Sequence, residues 1–129
     1  MKATRAASKA KLVVVIDDNA LVLEATGGLL RSWGFQVVCA GSYQEAMSRL
    51  ARLGRRPDLI VCDYRLPEGE TGLKAIKELR HAFEIPALLI SGDGSSPQSN
   101  ASAGAYRLLH KPVNVEAFRA LVDASVLPR

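Results

Sequence analysis

The chain lacks the residues that mark several common function classes. It has only two cysteines, Cys39 and Cys62, in 129 residues. Both sit in apolar runs, and no CxxC or Cys/His spacing suggests zinc. Each is expected as a buried free thiol, since free cysteine behaves as a small hydrophobe. Aromatic residues make up 5% of the chain, and no helix-turn-helix, RRM-like or finger pattern accompanies the net charge of +4. The basic residues are spread out: Lys2, Arg5, Lys9 and Lys11 at the start, then Arg49, Arg52, Arg55 and Arg56. They are expected on solvated faces, with no nucleic acid bound by this domain. No apolar run approaches the roughly 20 residues that span a bilayer, so no membrane contact is expected. Met1–Lys11 is basic and Ala-rich without an apolar centre, so it does not read as a secretory signal. A cytoplasmic protein is the expectation.

What is present is an ordinary globular composition, 48% apolar and 23% charged, enough to bury a core. Residues 1–10 lack periodicity and read as a flexible basic arm or linker, and residues 11–129 as one domain. From Lys11 strand-like and helix-like segments alternate. "LVVVI" (12–16) is a β-branched run, and so a buried strand. Asn19–Ser32 has helical spacing, with Val22, Ala25, Thr26, Leu29 and Trp33 on one face, and Gly34 ends it. "FQVVCA" is the second strand. Ser42 and Glu45 form a capping box for a helix that stops before Gly54 and Pro57. "DLIVC" is the third strand, and Thr71 opens a helix to about His81. "PALLI" is the fourth strand and "RLLH" part of the fifth. Asn114 caps a last helix to about Val126.

Strands one, three and four are nearly unbroken apolar runs, which points to a sheet covered on both faces. Helical crossovers between parallel strands are right-handed. The predicted class is therefore α/β: a doubly wound, five-stranded parallel sheet of order 2-1-3-4-5 and flavodoxin-like topology. "SGDGSSPQSNASAGAY" should hold the fourth helix, but it has no apolar stripe. Helix four is expected to be short or frayed.

The strand ends carry the chemistry. Strand one ends in Asp17 and Asp18, strand three in Asp63, strand four in Ser91, and strand five in His110, Lys111 and Pro112. In the predicted order these groups converge on one edge. Three carboxylates there repel one another. A divalent cation resolves the conflict, and hard oxygen ligands suit Mg²⁺. Lys111 adds an ammonium and Ser91 a hydroxyl. Cation, ammonium and hydroxyl around a carboxylate make a cradle for a transferring phosphoryl group, where positioning and charge neutralisation do most of the work. Asp63 would be the nucleophile and form an aspartyl phosphate. Singly, each residue has a plainer reading: Asp18 as the cap of the first helix, Asp63-Tyr64 as a turn, Lys111-Pro112 as a tight corner. The common end of four strands is what joins them.

"VVVIDDNALV", "DLIVCDYRLPEGETG", "PALLISGD" and "LLHKPV" together resemble the response-regulator receiver domain, over about Leu12 to Leu127. The resemblance implies a phosphoryl-accepting domain of a two-component phosphorelay. Asp63 would take the group from a histidine kinase or a histidine phosphotransfer domain. Asp17 and Asp18 would hold Mg²⁺ with Asp63 and the carbonyl of Arg65. Ser91 would bond a phosphoryl oxygen, and Lys111 would pair with Asp63. Tyr64, Arg65, Gly92 and Asp93 would flank the phosphoryl group, with an Arg65–Asp93 pair shielding it. Leu21, Leu23 and Pro112 would meet the partner's helical bundle. The style of the motifs is most like the C-terminal receiver of a hybrid sensor histidine kinase, which makes an excised receiver the expectation, with a free-standing one as the alternative. A homodimer is left open.

One position departs from the family pattern. Leu108 stands where an aromatic residue commonly sits, three before the lysine, and Tyr106 is too far along the strand to replace it. Competing readings are a degenerate receiver acting as a scaffold and an Asp-nucleophile phosphatase. The phosphatase pattern is DxD, whereas here the pair is adjacent. A flavin binder of the same topology wants a Ser/Thr/Gly-rich loop after strand one, and "DDNA" would repel its phosphate.

Overall fold

Short β-branched and leucine-rich runs form five strands, joined where described by amphipathic helices. The computed structural model describes residues 10–64, 72–91, 106–110 and 113–126. In chain order these give β1 (Leu12–Ile16), α1 (Ala20–Ser32), β2 (Gln36–Ala40), α2 (Tyr43–Leu53), β3 (Leu59–Asp63), α3 (Gly72–Phe83), β4 (Ala87–Ser91), β5 (Tyr106–His110) and α4 (Val115–Val126). All strands are parallel, in the expected order β2-β1-β3-β4-β5. The frayed helix expected between strands four and five lies outside the described residues.

β1 and β3 are buried along their whole length. Their alternate side chains feed two cores. Val14, Ile16, Ile60 and Cys62 pack with Leu50, Ile76 and Leu79 of α2 and α3. Val13, Val15, Leu59 and Val61 pack with Leu30 of α1 and with Phe118 and Val122 of α4. Each such buried aliphatic contributes about 1.5–3 kcal/mol, so these two strands are the most strongly fixed part of the sheet.

The helix ends follow local chemistry. Asn19, rather than Asp18, caps α1: its side-chain oxygen accepts from the Val22 N–H at 3.1 Å. At the other end Gly34 takes φ 98°. The Gly34 N–H donates to the Arg31 carbonyl and the Phe35 N–H to that of Leu30, the paired bonds of a Schellman ending. Gly54 closes α2 at φ 72°, and Asn114 caps α4 through the Ala117 N–H at 2.9 Å.

The expected stripe of α1 holds at Leu29 and Trp33, which pack against the core, and departs at its amino end. Gly27 and Leu30 are its buried residues, and Leu23 packs against the same core. Val22 and Ala25 are exposed. A Cβ on Gly27 would lie 2.9 Å from the Cys39 sulfur, so the bare glycine lets α1 approach β2 closely. The end of α1 is then held by Trp33, whose ring meets Phe118 at 5.7 Å and lies beneath the Arg119 guanidinium. The cysteines also divide: Cys62 is buried as expected, but Cys39 is only half-buried. It sits on edge strand β2, where one side of the strand has no neighbour among the described residues.

The amino ends of the strands are tied by one ion pair. The Asp58 carboxylate accepts from the Leu12 N–H at 2.8 Å. Arg55 lies 3.7 Å from that carboxylate, donates to the Ala10 carbonyl, and bonds the Gln36 side chain.

The capping box of α2 forms with a shift of one residue. Ser42 accepts from the Glu45 N–H at 3.1 Å, while Glu45 reaches back past Ser42 to the Gly41 N–H at 2.6 Å. That bond holds the Glu45 carboxyl below its ordinary value of 4.5, against a smaller opposing effect of burial and with help from Arg49. A depressed acid stabilises the fold above its ordinary value and loses that contribution as pH falls through the depressed one. Glu45→Ala is therefore expected to cost about 0.5–1 kcal/mol near neutrality, the usual scale of a cap. The difference from wild type should shrink as pH drops below 4.5, read by denaturant melts across that range; a pH-independent difference would refute the assignment.

Candidate functional site

Register sets the site. Ile16 pairs with Cys62 across β1 and β3, so Asp17 follows beside Asp63; Asp63 in turn pairs with Ile90, one residue before Ser91. Asp17 and Asp63 are 6% and 7% exposed, and Ser91 is fully buried. Asp18 is exposed. Carboxylate oxygens of Asp17, Asp18 and Asp63 lie within 4.8 Å of one another. The three acids expected to converge do so, at the carboxyl edge of the sheet.

Each acid is positioned by its backbone. Asp17 donates its N–H to the Ala40 carbonyl at 3.0 Å. Its carboxylate accepts the Asn19 N–H at 2.9 Å, which joins the acid to the cap of α1. The Asp63 carbonyl lies 3.4 Å from the buried Cys62 thiol. The next residue, Tyr64, donates to the Ile90 carbonyl at 2.8 Å and accepts from the Gly72 N–H at 2.6 Å. Tyr64 also packs against the α2/α3 core, so this flanking residue is anchored inward.

Gly72 is a positioning residue that the sequence reading passed over. A Cβ there would lie 2.2 Å from the Asp63 carbonyl oxygen and 2.8 Å from Leu89. The first residue of α3 is thus pressed on the main chain of Asp63. The available signal was a glycine in the first turn of a helix, which costs helix stability unless a close approach requires it.

The donor set fits a hard divalent cation. Carboxylate oxygens within 4.8 Å of one another are hard donors of the kind Mg²⁺ takes, and Asp17, Asp18 and Asp63 would hold it with water filling the remaining positions. Beside the acids is a cavity of about 320 Å³ between α1 and α4, whose lining includes Asp17, Val22, Ala25, Asp63, Val113 and Phe118. Leu21 is 77% exposed near the amino end of α1, whereas Leu23 is half-buried against the core. Only the former keeps the surface position expected of both. Leu108 is half-buried, pairs with Leu89 and packs toward α2 and α3. Arg65, Gly92, Asp93, Lys111 and Pro112 lie outside the described residues.

A doubly wound parallel sheet with three acids gathered at its carboxyl edge defines a receiver-type domain. The chain matches the sequence model of the response regulator receiver domain over residues 13–123 and belongs to that family. It is similar to the transcriptional regulatory protein AruR of Pseudomonas aeruginosa, at 34% identity over 107 residues, covering 79% of this chain and 43% of that protein. The response regulator protein TodT of Pseudomonas putida is 31% identical over 121 residues, covering 92% of this chain and 52% of the relative. The chain thus spans about half the length of these curated relatives. The crystal structure of a receiver domain protein from Methanospirillum hungatei shares the fold, with a TM-score of 0.80 at 21% identity over 92% of this chain and 94% of that one. Among the described residues, no helix is long and apolar enough to cross a membrane.

The glycines provide a test of opposite signs. Gly28 has nothing within 4 Å of a built Cβ. Gly28→Ala should raise stability by up to about 1 kcal/mol through helix propensity. Gly72→Ala should lower it by about 1–3 kcal/mol, because the clash is with backbone. Paired thermal melts would check both, and a neutral Gly72→Ala would remove the proposed contact with Asp63.

Proposed function

We propose that this domain accepts a phosphoryl group on Asp63 from a phosphohistidine of a histidine kinase or a histidine phosphotransfer domain. The observation that carries this reading is the convergence of Asp17, Asp18 and Asp63 within 4.8 Å at the end of buried strands. A carboxylate oxygen of Asp63 attacks phosphorus, the P–N bond to the donor imidazole breaks, and the leaving nitrogen keeps the electron pair. The product is an acyl phosphate on Asp63. Asp17 and Asp18 would hold Mg²⁺ together with Asp63 and the Arg65 carbonyl; when bound, the ion neutralises charge building on the phosphoryl oxygens. Ser91 would donate its hydroxyl to one of those oxygens, and Lys111 would contribute a point charge. The buried main chain fixes the direction of attack, since the Asp63–Tyr64 segment is tied to Ile90 and Gly72.

The DxD-type phosphatase reading has no support in the adjacency of Asp17 and Asp18. A parent of the hybrid-kinase kind rests on motif style alone, while the two relatives named above are regulators by name. A cytoplasmic setting and a domain beginning at about Lys11 belong to the same proposal.

Incubation with a small phosphodonor and Mg²⁺ should add one phosphoryl mass to the intact protein. Asp63→Asn or removal of the cation should abolish the adduct. An adduct that survives in Asp63→Asn would overturn the assignment.

The surface beside the acids suits docking of a donor helix bundle. Leu21, Val22 and Val115 are 77%, 36% and 52% exposed, and the two valines line the cavity that reaches Asp17 and Asp63. Exposed apolar groups gathered at a reactive edge mark contact surfaces. Leu21→Ser should slow transfer from a protein phosphohistidine by about tenfold, the scale of a contact worth 1–2 kcal/mol, and leave small-donor labelling unchanged. Equal slowing with both donors would place Leu21 in the fold or the chemistry instead.

A further inference from the structure

The outer edge of β2 is built differently from the rest of the surface. β2 has β1 on its inner side and no strand among the described residues on the other. The Gln36 N–H donates to Lys11 and the Ala40 carbonyl accepts from Asp17, so Gln36, Val38 and Ala40 bond inward. Strand alternation then turns the main-chain groups of Val37 and Cys39 outward. An edge of this kind is a template for an added strand.

A groove of about 430 Å³ runs along this edge, and arginines stand on both sides of it. Val37 and Cys39 face the α1 core and Val38 the α2 core. On the α1 side stands Arg31, whose guanidinium approaches Gly27, while the Cys39 thiol beside it donates to the Leu23 carbonyl at 3.7 Å. Arg49 and Arg52 stand on the α2 side, with Leu53, half of which is exposed, beside them. Arg49 holds Glu45. Neither Arg31 nor Arg52 has an ion-pair partner among the described residues.

We propose that this edge binds an acidic, extended peptide segment of a partner protein by strand addition to β2. An added strand alternates its side chains toward the two faces. One acid would meet Arg31, and acids one residue away on either side would meet Arg49 and Arg52, where guanidinium and carboxylate pair well. Charge decides among occupants. A second copy would bring its own arginines to the same edge, and the arm containing Lys2, Arg5 and Lys9 is likewise repelled. The site does not involve Asp63.

The probe is a labelled Val-Ile-Glu-Asp-Glu-Val peptide, with the Asp for the α1 face and the flanking Glu residues for the α2 face, titrated onto the full chain by anisotropy. Saturable binding is expected, with slowed amide exchange at Val37 and Cys39. Arg31→Glu with Arg52→Glu should weaken it by more than about tenfold, as loss of charge-assisted bonds does. The milder Arg31→Gln with Arg52→Gln serves if the reversal perturbs folding. Asp63→Asn should bind as wild type. An N-methylated peptide, unable to donate main-chain bonds, should bind poorly. Equal binding of that peptide, displacement by inorganic triphosphate without any exchange change at Val37 and Cys39, or no saturable binding would each overturn the proposal.

Discussion

A parallel strand buried on both faces has no room for a polar side chain except at its ends. β1 and β3 are strands of this kind, closed in by α1 and α4 on one side and α2 and α3 on the other. This constraint sorts the sequence. Apolar residues fill Leu12–Ile16 and Leu59–Cys62, and the first carboxylates appear where the strands leave the core. Equal strand lengths and an in-register ladder then bring Asp17 beside Asp63. Desolvating several acids is costly unless each is bonded. Asp17 has the Asn19 N–H. A cation shared among the three acids would complete the compensation.

Rigidity at Asp63 comes from the main chain more than from its side chain. The Asp63–Tyr64 segment is fixed from three directions: the Cys62 thiol beneath the carbonyl, the Ile90 carbonyl across the ladder, and Gly72 pressed from above. Preorganisation of this sort lets a weak nucleophile meet a transferring group without a search through conformations. It also explains the use of a glycine where an alanine would make a better helix. The stability given up at the first turn of α3 is exchanged for close contact between α3 and the strand end.

Much of this was legible in the sequence because it is written locally. β-branched runs, the Ser42–Glu45 pair, and the glycines after α1 and α2 each act within a few residues, and the structure has them where the pattern places them. The acids were legible because strand order converts sequence position into a shared edge. The close approach of α1 to β2 was not. Periodicity favoured a stripe that Leu29 and Trp33 keep by packing on the core, while Val22 and Ala25 are exposed beside the cavity, and Gly27 contributes nothing to an apolar count while permitting the closest approach. Leu21 is exposed as its place off the stripe suggests, whereas Leu23 packs against the core and Cys39 is only half-buried on the edge strand β2. The gathering of Arg31, Arg49 and Arg52 joins two helices across a strand edge, and no local pattern announces it.

The arginine groove and the acidic edge are joined through one residue, Glu45. Its two oxygens divide the work. Oε1 accepts from the Gly41 N–H, next to the Ala40 carbonyl that Asp17 uses, while Oε2 faces Arg49. A carboxylate arriving in the groove competes with Oε2 for Arg49 and leaves Oε1 in place. The capping bond to Gly41 is therefore retained, and the turn between β2 and α2 that supports Asp17 stays closed. Division of one carboxylate between two donors thus lets the basic edge be filled while the acidic edge keeps its geometry, so that charges of opposite sign serve separate surfaces of one small domain.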